Sequence, residues 1–180
     1  MNTKKMIRSW AMYDWANSAF STTILATVMP IFYSSVAGKD LDPTTSTAYW
    51  GYTQSISLFL IVLLSPVLGA IADAGKGKKG FLKFFTALGA IASLLMATIR
   101  EGGWLWASIL VLIGSLAFAG ATTFYDAFLT DVAPEDKRDQ VSTAGYAYGY
   151  VGGGLLLALN LALIQFHDSF SITKLTATRL

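Results

Sequence analysis

The chain has 180 residues, 54% of them hydrophobic and 13% charged, and its 13 Lys and Arg against 11 Asp and Glu leave a net charge of +2. That balance excludes an ordinary soluble domain and offers no electrostatic footprint for nucleic acid. With no Cys and one His, the chain also lacks the residues for disulfides, thiolate nucleophiles or clustered metal ligands, so no metal and no cofactor are expected.

Lys4, Lys5 and Arg8 precede the first apolar run. It is too long, and with Asp14 and Asn17 too polar, for a cleaved leader, so it predicts a retained helix. A hydrocarbon core of about 30 Å takes about 20 helical residues, and five stretches reach that length: about 10–36, 49–72, 81–99, 104–129 and 141–164. Gly38, Asp40, Asp42 and Pro43 separate the first two, and Pro66 stands inside the second as an expected kink. The glycine-rich basic turn from Gly75 to Gly80 separates the second from the third. These runs predict an all-α fold, a polytopic membrane helix bundle whose first partner is the lipid bilayer. Residues 168–180 form a polar tail without a sixth run, so the bundle reads as unfinished and the chain as a fragment.

Lys and Arg set the expected orientation. With the N-terminus cytoplasmic, Lys4, Lys5, Arg8, Lys76, Lys78, Lys79, Lys83, Lys137 and Arg138 lie inside, against Lys39, Arg100, Lys174 and Arg179 outside. This places the chain in a membrane with its N-terminus in the cytoplasm, the bacterial inner membrane being the expected one.

Ionisable residues within a span carry the functional signal, because an aspartate at a helix centre costs about 2.5–3.5 kcal/mol even on lenient insertion scales. Asp14, Asn17, Ser18 and Ser21 recur at intervals of three and four and share a face of the first helix; Asp126 shares the fourth with Ser115, Thr122 and Thr130. Two such faces, turned inward, suit a hydrophilic path for a solute or a proton; the alternative is headgroup-level carboxylates that cap helices or pair with Lys or Arg. Gly145, Gly149 and Gly153 repeat every fourth residue, a spacing for close helix packing, and Asn160 follows near the same face as a further candidate contact. The Gly75–Gly80 turn is not a phosphate loop, since Lys79 stands where such a loop needs Ser or Thr after Gly-Lys. No catalytic arrangement supports an enzyme.

Gly69 and Asp73 at a helix end, followed by Gly77, Lys78 and Lys79, resemble the loop signature between helices two and three of the major facilitator superfamily. The stretches 10–20 and 124–135, the latter running into the glycines 145–154, are similar to bacterial relatives of the autophagy-linked vacuolar amino-acid effluxers. The resemblance implies twelve helices in two halves, with residues 1–180 holding five helices of the N-terminal half and the C-terminal half as a missing partner. It implies that helices one and four line a central cavity, so that Asp14, Asn17, Ser21, Thr122, Asp126 and Asn160 are the candidate contacts for solute or proton, and that Gly69, Asp73, Gly77, Lys78 and Lys79 belong to a gating loop. The expected activity is secondary transport of a small polar solute, with amino acids as the family analogy. The alternative is a non-transporting membrane scaffold that assembles through the glycine-rich fifth helix.

Overall fold

A computed structural model of the chain describes residues 3–75 and 77–179. Lys76, Leu180 and the side chain of Arg179, which enter the sidedness and tail readings, lie outside the described residues. Among the described residues every regular element is helical. Five helices are long and apolar enough to cross a membrane: α1 (Lys4–Ala37), α2 (Pro43–Asp73), α3 (Lys78–Met96), α4 (Trp104–Val132) and α5 (Glu135–Gln165). The chain is an all-α integral membrane bundle.

Most of these helices outrun their apolar stretches because local chemistry, rather than hydropathy, sets their ends. α2 starts several residues before its apolar run: Asp42 accepts the backbone N–H groups of Thr44 (3.1 Å) and Thr45 (3.0 Å), and Pro43 fits the first turn, where no donor is needed. This cap also holds the Asp42 carboxyl below its ordinary pKa, through hydrogen bonds from Thr45 and Thr44 to the charged form. α3 begins after Gly77, whose φ of 83° favours glycine. α4 bends at Phe128, whose N–H reaches back three residues to the Tyr125 carbonyl (3.1 Å).

α4 is the centre of the bundle, with α2 and α3 packed along its flanks, while α1 packs mainly along α5. Two tight apolar clusters stand at opposite ends. The one nearer the chain's N-terminus, the proximal end, gathers Trp10, Ala11, Tyr125, Ala133 and Val141. The distal one is built on Met29, Phe32, Tyr33, Ile99, Leu110 and Val111.

The tail is not a free polar segment. After a turn over His167–Phe170 it forms a short helix, α6 (Lys174–Arg179), whose Leu175 packs against the distal cluster and whose Ala177 is buried. Its apolar residues are too few to register as a run, but Leu175 reaches the distal cluster while the helix lies against α5.

Between the two clusters α1 leaves regular α geometry. From Phe20 to Val28 its turns widen: the Met29 N–H reaches the Ile24 carbonyl five residues back, and Thr27 Oγ1 donates to the Thr22 carbonyl at 2.9 Å. Pro30 follows directly, and a second wide turn closes with Gly38 N–H on the Tyr33 carbonyl at 2.7 Å. Wide turns inside a helix leave its ladder irregular and recur where a side chain must be re-aimed.

Candidate functional site

The polar face of α1 is built as its spacing dictates, with Ser18 Oγ donating to the Asp14 carboxylate one turn earlier at 3.2 Å. Ser21 turns back on its own helix and donates to the Ser18 carbonyl at 3.1 Å. The glycines of α5 cover this face. A Cβ at Gly149 would stand 2.6 Å from Ser18 Oγ and 2.7 Å from an Asp14 carboxylate oxygen, and one at Gly153 2.8 Å from Thr22 Oγ1. A Cβ at Gly145 would collide with the Trp10 ring, and one at Gly152 with the Trp15 carbonyl. Small residues at this period bring the two backbones together, and Asp14 lies in the seam between them.

α1 meets α4 one turn further on. Asn17 Nδ2 donates to Thr122 Oγ1 at 3.4 Å, linking the two helices between the end clusters. Towards the proximal end an aromatic stack holds them in register: Trp10 lies on Tyr125 with ring centroids 4.4 Å apart, Tyr13 on the same ring at 5.1 Å, and the Trp10 indole donates to the Tyr125 carbonyl at 3.0 Å. The Tyr125 hydroxyl is buried beside Gly145 without a hydrogen-bond partner among the described residues. Tyr13 also exchanges a hydrogen bond with Thr86 of α3 at 2.9 Å. A recess of about 270 Å³ follows between α1, α3 and α4, lined by Tyr13, Asn17, Phe20, Phe85, Thr86 and Ser93 among others.

The remaining candidates are dispersed. Asp126 is exposed at the proximal end of α4 with no hydrogen bond among the described residues, although it lies close enough to Asp14 for their charges to interact. Asn160 stands further along α5, partly buried, outside the Asp14–Asn17 group. Of the loop residues, Gly69, Asp73 and Lys79 make no side-chain hydrogen bond or ion pair across the bundle among the described residues, whereas Lys78 does: its ammonium lies 2.7 Å from Asp131, donates to the Ala127 carbonyl at 3.2 Å and sits 5.6 Å from the centre of the Phe128 ring. Lys78 thereby fastens the start of α3 to the bend in α4. Among the described residues no group of three His, Cys, Asp or Glu is arranged to hold a metal.

Tyr13, Thr86 and Trp10 were outside the spacing signal. Each is a single polar or aromatic residue, and only the packing of α1 on α3 and α4 gives them a role.

A membrane bundle with a polar seam through its middle defines the class: a polytopic helical membrane protein with partly buried hydrogen-bonding groups between its helices. The family described as "Vacuole effluxer Atg22 like" matches residues 2–137, and the chain belongs to it. The chain is also 40% identical over 93% of its length to the "Uncharacterized MFS-type transporter YxiO" of Bacillus subtilis. It is 23% identical over 78% of its length to "Autophagy-related protein 22" of Coccidioides immitis, and 21% identical over 96% of its length to the protein of that name from Kluyveromyces lactis. The chain spans 40%, 30% and 44% of the lengths of these relatives. No solved structure matches it. The family description and the name of the Bacillus relative describe transport rather than catalysis.

Proposed function

We propose that this chain is part of a secondary transporter of the major facilitator kind, which moves a small polar solute, with amino acids as first candidates, by alternately exposing a site between α1 and α4. The observation that carries this reading is the set Asp14, Asn17, Ser18 and Thr122, held together within membrane-spanning helices where polar groups are costly unless used. The wide turns of α1 beside that set and the two compact end clusters support a rocking mechanism, because they leave the middle of the bundle the least regular part.

In this reading Asp14 carries a coupling proton or meets a cationic group on the solute, and Asp126 assists from the proximal end. The proximal end is cytoplasmic, in keeping with the excess of Lys and Arg there, and the membrane is the bacterial plasma membrane. The turn around Gly77, fastened through Lys78, serves gating, and the rest of the protein supplies the other wall of the cavity. The scaffold alternative is weakened because the glycine face through which it would assemble is already covered by α1.

The complete protein in liposomes is expected to show saturable uptake of radiolabelled amino acids when a pH gradient is imposed, and the 180-residue chain alone none. Uptake that is absent for the complete protein, while it still forms a stable assembly in the membrane, would favour the scaffold.

A further inference from the structure

A second recess, of about 560 Å³, opens beside the Asn17–Thr122 bridge, between α2 and α4 with Leu25 of α1 at its edge. Its polar wall consists of Gln54 and Ser57 from α2 and Ser115 and Thr122 from α4; Leu58, Ile61 and Phe118 supply apolar surface. None of its described lining residues is ionisable. Gln54 and Ser115 each stand about 16 Å along their helices from the distal end at 1.5 Å per residue, which is near the middle of a hydrocarbon core of about 30 Å.

The hydrogen-bonding capacity of this wall is only partly used. Ser115 is 6% exposed, yet its hydroxyl forms no hydrogen bond with any described residue, and neither does the Gln54 carboxamide. Ser57 gives its proton to the Thr53 carbonyl at 2.8 Å and keeps its lone pairs. Thr122 accepts from Asn17 and keeps its proton. The wall therefore offers donors and acceptors together and no charge. An uncharged group that both donates and accepts satisfies it, whereas a buried carboxylate or ammonium would find no counter-ion.

We infer that this recess is a specificity pocket for an uncharged hydrogen-bonding group of the solute, a carboxamide or hydroxyl on a short apolar stem, separate from the carboxylates of Asp14 and Asp126. This deepens the transporter reading and rests on it. Gln54 and Ser115 are its specificity-determining residues.

The near-isosteric pair L-glutamine and L-glutamate tests it in liposomes holding the complete protein. The pocket predicts uptake of glutamine at least about tenfold more efficient than of glutamate, because a site built for hydrogen bonding discriminates strongly by what it leaves unpaired. Gln54→Lys, which places a cation in the wall, should narrow or reverse that ratio, and Ser115→Ala should lower glutamine uptake while sparing the fold. A readout independent of transport uses Gln54→Cys in a cysteine-free background: glutamine should slow its reaction with a hydrophilic maleimide, and should not slow that of Tyr150→Cys on the exposed face of α5. Absence of both uptake and protection overturns the transporter reading and the pocket with it. Saturable uptake with a glutamine-to-glutamate ratio that neither Gln54→Lys nor Ser115→Ala changes overturns the pocket alone.

Discussion

Gly149→Leu is expected to cost the bundle about 3 kcal/mol or more, whereas Gly154→Leu should change its stability by no more than about 0.5 kcal/mol. A side chain at Gly149 meets Ser18 Oγ and the Asp14 carboxylate within 2.7 Å at its first atom. The atoms met first are the side-chain ends of Ser18 and Asp14 on α1, which must turn aside from their present positions, and the rest of the leucine then presses on α1 behind them. Forcing methyl groups onto the carboxyl also removes its Ser18 hydrogen bond, a loss that adds to the steric cost because a half-buried acceptor left unpaired is costly. Gly154 has nothing within 4 Å of such a Cβ, so leucine there meets only open space. Thermal unfolding in detergent, followed by tryptophan fluorescence, compares the two. Equal and small effects would show that α1 and α5 do not pack as described.

Trp10→Ala should destabilise the proximal end by about 3–5 kcal/mol, the range for removing a large buried aromatic side chain. Trp10 fills the space over Tyr125, supports Gly145 of α5 and fixes the turn of α4 through its indole N–H. Trp10→Phe should cost less, about 1–2 kcal/mol, because a ring still stacks on Tyr125 while the indole hydrogen bond and part of the packing on Gly145 are lost. The Tyr125 carbonyl still accepts from the Phe128 N–H, so it is not orphaned in the phenylalanine variant. The same unfolding measurement orders the two variants, and a Trp10→Phe loss as large as that of Trp10→Ala would assign the effect to the hydrogen bond instead of the packing.

The helices were legible in the sequence because each needed only an apolar stretch of sufficient length, and nothing about neighbours. Periodicity likewise places Asp14 and Ser18 on one side of α1, since an interval of four residues is one turn in any helix. It does not say which helix covers that side. Asp14 and Asp126 read as lying on two faces turned inward, to each other or to water; the packing adds that Asn17 reaches α4, at Thr122, and that Asp14 lies under Gly149 of α5. The wide turns from Phe20 to Val28 left no mark beyond Pro30, because the residues there are ordinary helix and strand formers. Gln54 and Ser57 were silent for another reason. A single amide or hydroxyl within an apolar helix has no partner at helical spacing, and it becomes part of a wall only when a residue from another helix, here Ser115, stands opposite.

The most direct test of this account is a comparison of Asp14→Asn with the unaltered complete protein in liposomes, with net uptake driven by a pH gradient and solute exchange at equal pH measured on the same preparations. If Asp14 carries the coupling proton, the asparagine variant, which keeps the shape and loses the titration, should reduce gradient-driven net uptake at least about tenfold while exchange persists. Net uptake of unchanged size and unchanged pH dependence would remove Asp14 from the mechanism and contradict the account at its centre.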